Sequence, residues 1–210
     1  MVVAATQTAG RGRRGRRWHD APGDSLLASI IVRPRLALRD LPKLSLATAV
    51  AVGEAIETVG ALSVRLKWPN DVLVGRRKIA GILLESRMAA TSLVVVGIGI
   101  NLGQRSFADD LADVATSVTL ETGRTVAPET MLSAVLAAFD VWRVRLEMEG
   151  FAPVRARWLE VAETIGCSFA ADGRAGVAVD LDPDGALVLR DQDGLRRVVA
   201  GEVVAMPAGN

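Results

Sequence analysis

Lysine, histidine and cysteine are all scarce in this chain. Of its 25 basic residues only Lys43, Lys67 and Lys78 are lysines, so cations are written almost entirely as arginine, and two of the three lysines fall in one short window. A single cysteine, Cys167, excludes an internal disulfide framework and fits a reducing cytoplasm. A single histidine, His19, leaves no histidine-based metal cluster to propose, so any catalysis must rely on other groups. No uninterrupted apolar run of about 18 residues is present, as a membrane-spanning helix would need. The first residues run apolar then basic, the reverse of a secretory signal. Internal repeats and low-complexity linkers are also missing. The reading is a soluble, cytoplasmic chain with no membrane partner.

Half of the 210 residues are hydrophobic, enough for one substantial core with a small appended domain. The formal net charge is +1, because acids in "FADDLAD" and "DLDPDG" offset a basic run at the start. Positive charge is therefore local, and the chain is not a uniformly cationic nucleic-acid coat. After an apolar strand at Val2 to Ala5 comes that basic loop, followed by "SLLASIIVRP", a buried strand stopped by Pro34. Pro42 opens a helix that Gly60 is expected to cap, with Glu54 and Glu57 on a partly acidic outer face. Next, "SVRLKWPNDVLVGRRKIAGILLE" reads as strand, Pro69-Asn70 turn, short strand, turn and strand again, and "SLVVVGIGINL" adds another. About five strands thus surround one long helix. From Pro128 to Gly150, residues Leu132, Val135, Leu136, Phe139, Trp142 and Leu146 mark a helical face, and "FAPVRARWLEVAE" continues as a second helix. Short alternating strands with Asp-Gly turns then predict a small all-β barrel, with the boundary near Glu163: domains 1–163 and 164–210.

The stretch "TQTAGRGRRGRRWHDAPG" sets five arginines among the seven residues from Arg11 to Arg17. Three readings are open: a solvated loop, an arm that follows nucleic-acid phosphates, or a phosphate-gripping lid of an enzyme. On its own such a string is common, and the solvated loop is the default. In "KWPNDVLVGRRKIAGILLE", Asp71 opens a strand and Lys78 lies on the return strand, eleven positions after Lys67, near a sheet edge over which the basic loop could fold. That arrangement gathers an anion site with an acid beside it. Lysine supplies a compact charge with three rotatable donors, whereas arginine grips carboxylate or phosphate through its planar fork. The bland alternative is that both lysines snorkel from strand edges and Asp71 caps a turn.

Taken together and in order, "QTAGRGRRGRRW", "KWPND", "GRRKIAGILLE" and "GIGINL" resemble the biotin protein ligases. The resemblance implies an α+β fold: a class II aminoacyl-tRNA-synthetase-like mixed sheet packed with helices, followed by a small SH3-like barrel. It implies that biotin and ATP, with Mg²⁺, give biotinyl-5′-AMP, and that the biotin then passes to a lysine of a biotin carboxyl carrier protein domain. By the same resemblance Lys78, Arg13 and Asp71 are the catalytic set. Biotin would meet Gln7, Arg11, Gly12, Arg13 and Lys78, with Gly81, Gly97 and Gly99 giving room for its bicyclic ring. The nucleotide would meet Arg13, Arg16, Trp18, Asn70, Asp71, Lys78 and Asn101, and Mg²⁺ would arrive with ATP, held by no protein-ligand cluster. The loop from Ala9 to Gly23 is expected to be disordered until a ligand closes it. A homodimer is among the partners the resemblance allows, and operator DNA is not expected.

Relatives carry, before this point, a strand and helix with a Ser/Thr-Asn pair that bonds the biotin head group, and the present sequence begins at what reads as the following strand. Two states therefore stand: a working ligase whose start lies upstream, or an inactive truncated homologue. A nucleic-acid-binding module using the Arg-Gly loop and a lipoate ligase on a related fold are the competing readings.

Overall fold

The computed structural model describes residues 1–87, 93–171, 174–199 and the strand residues 204–205. The Asp172-Gly173 turn and the expected end of the β unit at Met206 lie outside them. Strands β1 (Val2–Ala4), β2 (Ser25–Val32), β3 (Val64–Lys67), β4 (Asp71–Val74), β5 (Arg77–Arg87) and β6 (Leu93–Asn101) form one sheet in the order β1-β2-β6-β5-β4-β3. Every strand pair in it is antiparallel. Parallel pairing enters as two isolated bridges, Leu66 with Ala162 and Lys78 with Ala115. The first hundred residues thus yield six strands where about five were expected, β1 being the apolar strand read at Val2 to Ala5. Together with Ile31 of β2, Met1, Val2 and Val3 leave apolar surface exposed at that edge.

Alternation decides what each face of the sheet does. Side chains two residues apart share a face; on β6 the even positions Val94, Val96, Ile98 and Ile100 are buried in the core, which leaves Gly97, Gly99 and Asn101 on the other face. On the core side lies helix α1 (Leu41–Gly60), which is apolar nearly all round because it packs on the sheet and on α3 (Pro128–Glu149) and α4 (Ala152–Glu160). A helix buried this way needs no polar face. At Gly53 it lies close against β3, since a Cβ there would stand 3.1 Å from Val64 Cγ2. The predicted face of α3 is buried at Val135, Phe139, Trp142 and Leu146, with Met131 added.

Two expectations about α1 are corrected. Glu54 and Glu57 do not form a solvated face: Glu54 accepts from Trp142 Nε1 at 2.8 Å and from Arg157 Nε at 3.1 Å, and Glu57 accepts from Arg157 Nη2 at 3.4 Å. The two acids therefore pin α3 and α4 onto α1. Gly60 is the last helical residue, and Ala61 takes the left-handed cap, with φ 54°. A β-carbon in that conformation costs about 1 kcal/mol relative to glycine. Ala61→Gly is accordingly expected to raise the unfolding free energy by about that much, read as a higher melting temperature.

The second sheet is antiparallel, in the order β10-β9-β8-β7-β11, from β7 (Ser168–Ala171), β8 (Arg174–Leu181), β9 (Leu187–Asp191), β10 (Gly194–Val198) and β11 (Val204–Ala205). It stands where the strand spacing predicts a small all-β barrel and where the family resemblance implies an SH3-like one. Its apolar face, including Leu181, Leu187 and Leu189, continues the core of the first sheet. The turn between β8 and β9 reaches Trp68, whose indole donates to Gly185 O at 3.1 Å. Arg155 of α4 bonds both carboxylate oxygens of Asp180 at 2.7 Å. Among the described residues, no helix is long and apolar enough to cross a membrane.

Candidate active site

The non-core face of β2, β6 and β5 is floored by small residues. Register pairs Gly99 with Gly81 on one side and with Leu27 on the other, and Gly97 with Leu83 and Ser29. Over this floor lies a cavity of about 580 Å³, and every site residue named from the sequence lines it, from Gln7 on the flap to Asn101 at the end of β6.

The arginine-rich segment, expected to be disordered until a ligand closes it, is folded as a flap in this structure. Gly12 N–H donates to Arg16 O at 2.7 Å and Trp18 N–H to Gly10 O at 3.0 Å, around a bridge between Arg11 and Arg17. The tip turns back through Arg14 and Gly15, both at positive φ (54° and 74°). Glycine makes such a hairpin cheap, and Asp20 fastens its base by accepting from Thr6 Oγ1 and Gln7 N. Backbone bonds and this carboxylate hold the flap, together with the Trp18 indole laid on the sheet.

Two of its arginines cross the cavity. Arg11 Nη2 bonds Glu85 Oε2 at 3.0 Å, and Arg13 Nη1 bonds Asn70 Oδ1 at 3.3 Å. Burial, then the neighbouring Arg14, pushes the Arg13 guanidinium down from its ordinary value, while Asp71 pulls the other way. Such a cation is short of water and of negative charge, which an arriving anion supplies. Across from it, Lys78 Nζ stands 2.6 Å from Asp71 Oδ1. Both side chains keep about a third or less of their surface exposed, so the pair adds on the order of 1 kcal/mol to stability. Its larger effect is to hold the ammonium over the cavity.

At three of these places the structure adds contacts that the sequence did not announce. The room at Gly81 and Gly99 is taken by the indole of Trp18: a Cβ on Gly99 would stand 2.6 Å from Trp18 Cε2, and one on Gly81 3.1 Å from Cζ3. Lys78 Nζ lies 5.7 Å from the same ring, within cation–π reach. The glycines admit the flap's own tryptophan because the hairpin register lays it on the sheet. Asn101 is 4 % exposed, and its amide donates to Thr116 O at 2.9 Å, so its side chain braces a loop. Asn70 does more than shape a turn: it receives Arg13 and donates to Ile82 O at 2.7 Å.

Gly99→Ala is expected to displace the Trp18 indole, since the added carbon meets a rigid ring. The readout is a red shift in tryptophan emission that disappears in a Trp18→Phe background. An unshifted spectrum would mean that the ring yields without leaving the floor.

Sequence reasoning missed the wall formed by Phe107, Leu111, Val114 and Ala115 and the short helix α2 (Val118–Thr122) behind it. A signal for the helix existed: Ser117 accepts from Leu120 N at 3.0 Å as its N-cap, and Gly123 closes it at φ 69°.

Comparison with known proteins bears on sequence and fold. The biotin/lipoate A/B protein ligase family model matches residues 1–101, and the biotin protein ligase C-terminal domain matches residues 172–206. The biotin--[acetyl-CoA-carboxylase] ligase of Paracoccus denitrificans is 39% identical over 96% of this chain and 88% of its own length. The bifunctional ligase/repressor BirA of Bacillus spizizenii is 35% identical over 97% of this chain, which spans 65% of that protein. Among solved structures, a biotin protein ligase from Aquifex aeolicus in complex with biotin and ATP superposes with a TM-score of 0.88 at 28% identity, covering 98% of this chain and 88% of that one. On sequence and on fold, the chain belongs to the biotin protein ligase family.

Proposed function

We propose that this chain joins biotin to a lysine of a biotin carboxyl carrier protein at the expense of ATP, in the cytoplasm. The observation that carries the reading is the convergence on one cavity of the Lys78 ammonium, held by Asp71 at 2.6 Å, with the half-buried Arg13 of the flap and the more exposed Arg11 that lines the same cavity. In the first step an oxygen of the biotin carboxylate attacks the α-phosphorus of ATP. A new acyl–O–P bond forms, the bond to the β-phosphate breaks, and pyrophosphate leaves. Two anions must meet, so fixed cations are the first requirement. Lys78 neutralises charge where carboxylate and α-phosphate approach, and Arg13 grips the phosphate. Arg16 attends the triphosphate, while Gln7, Arg11 and Gly12 line the biotin path. Asp71 orients the ammonium. In the second step the carrier's amine attacks the acyl carbon, AMP leaves with the bonding pair, and the amine loses a proton. Until then the flap keeps water from the mixed anhydride.

Mg²⁺ travels with the triphosphate in this reading. Among the described residues no three carboxylate, histidine or cysteine donors gather, and the two carboxylates of the cavity, Asp71 and Glu85, are each ion-paired. The residues present do not make a metal nest of their own, and no step is routed through one. The catalytic unit is assigned to residues 1–163 and the small β unit to 164–210, divided where the chain leaves α4 and pairs with Leu66.

The test incubates the full chain with biotin, Mg-ATP and a carrier domain. Biotin-dependent pyrophosphate exchange and a biotinylated carrier are expected. No exchange with biotin would defeat the reading, and exchange with lipoate alone would move it to the lipoate branch.

A further inference from the structure

Thr116 is fully buried and bonds three separate elements. Its N–H donates to Lys78 O at 2.9 Å, its carbonyl accepts the Asn101 amide at 2.9 Å, and its hydroxyl donates to Glu121 Oε1 at 2.6 Å. The same carboxylate oxygen accepts from Arg77 Nη2 at 2.7 Å, so the residue just before Lys78 is tied to the same point. On the other side of Ala115, Lys78 N–H donates to Val114 O at 2.8 Å. Both backbone groups of Lys78 are therefore taken by residues 114–116. Those residues end the stretch that walls the cavity through Phe107, Leu111 and Val114. Ser117 adds a further stitch, donating to Gln104 O at 2.6 Å while capping the helix that carries Glu121.

The geometry points to Thr116, Glu121 and Arg77 as a positioning triad that fixes the 107–115 wall against β5 and so sets the gap between that wall and the Lys78 amine. None of the three is needed to touch a substrate. A carboxylate receiving a hydroxyl and a guanidinium on one oxygen is a strong, directional joint, and it stands where Asn101 and Lys78 meet. Its consequence for catalysis rests on the ligase reading: Lys78 meets the α-phosphate, and biotin keeps its flap contacts at Gln7, Arg11 and Gly12, so loosening the joint weighs on ATP more than on biotin.

Two substitutions in the full chain separate this from plain structural support. Thr116→Val removes the hydroxyl at constant shape, whereas Thr116→Ser keeps it. With Thr116→Val the KM for ATP in pyrophosphate exchange is expected to rise roughly tenfold, the biotin Kd by calorimetry to stay within about twofold, and Thr116→Ser to behave as wild type. Amide exchange at Lys78 quickens in Thr116→Val as well. Glu121→Gln, at a less buried position, moves the ATP KM the same way and serves if the valine variant folds poorly. An unchanged ATP KM in both variants overturns the inference, as does a parallel loss of ATP affinity, biotin affinity and melting temperature. Should the wild-type chain show no exchange at all, the ligase reading falls, while amide exchange at Lys78 still decides whether the triad positions it.

Discussion

Lys78→Met is expected to slow adenylate formation by roughly 10³-fold, the scale seen when one preorganised charge is removed from a developing anion. Methionine keeps the length and apolar body of the side chain, so what is lost is the ammonium. The loss is compounded because Asp71, 2.6 Å away, is left as an unpaired negative charge in a cavity that must admit two anions. Folding should notice little: a partly exposed ion pair contributes on the order of 1 kcal/mol, and the backbone of Lys78 stays bonded to Val114 and Thr116. Single-turnover formation of biotinyl-AMP, set beside a thermal melt, distinguishes the two effects. Lys78→Arg should not restore the rate, since a planar fork cannot follow a phosphate whose geometry changes as a rotatable ammonium can. An unchanged rate in the methionine variant would mean the catalytic cation lies elsewhere.

Much of this site was legible because its residues are exceptions to the chain's own habits. Lysine is rare here, so Lys78 stood out; glycines inside β5 and β6 break strand-forming runs, and Pro69-Asn70 punctuates two alternations. What those exceptions are for was less legible. Gly81 and Gly99 signal close approach, but not by what, and the approaching group is the indole of Trp18, a residue more than sixty positions earlier. The wall at residues 107–115 carries no period at all. It is held by backbone bonds to Lys78 and by the buried side chains of Asn101 and Thr116, and backbone partners leave no trace in residue identity.

The fold shows the same division. Strands, the long helices and the change to short strands after α4 follow from local apolar spacing, although α4 ends at Glu160, three residues before the helix read over "FAPVRARWLEVAE". Contacts between distant segments are where local reading stopped. Glu54 and Glu57 look solvated on a helical wheel, yet Arg157, about a hundred residues later, comes to meet them. Ala61 is chemically ordinary, and its left-handed conformation is imposed by the turn into β3. The flap is the sharpest instance: its run of like charges reads as a loose loop, while what shapes it in the structure is cross-strand hydrogen bonds, Asp20 and the distant partners of Arg11 and Arg13.

Arg13→Ala carries the second large expected effect, a fall of about 10²-fold in kcat/KM for adenylate formation together with faster escape of the adenylate. The guanidinium is half-buried, bonds Asn70 Oδ1 at 3.3 Å, and is pushed downward by burial and by Arg14. It is therefore a cation poised for an anionic partner, and removing it leaves the flap's own hydrogen bonds, Gly12 N–H to Arg16 O and Trp18 N–H to Gly10 O, in place. The companion variant is Arg14→Ala, one residue along, at an exposed position. If the flap works by aiming one group, Arg14→Ala should change kcat/KM by no more than about twofold, the scale of a screened surface charge. If it works by bulk positive potential, as a nucleic-acid arm does, the two variants should cost the same, and both losses should shrink as salt is added. Equal, salt-sensitive effects would turn the flap back into a phosphate-following arm; an effect confined to Arg13 and largely indifferent to salt is what a gripping lid requires.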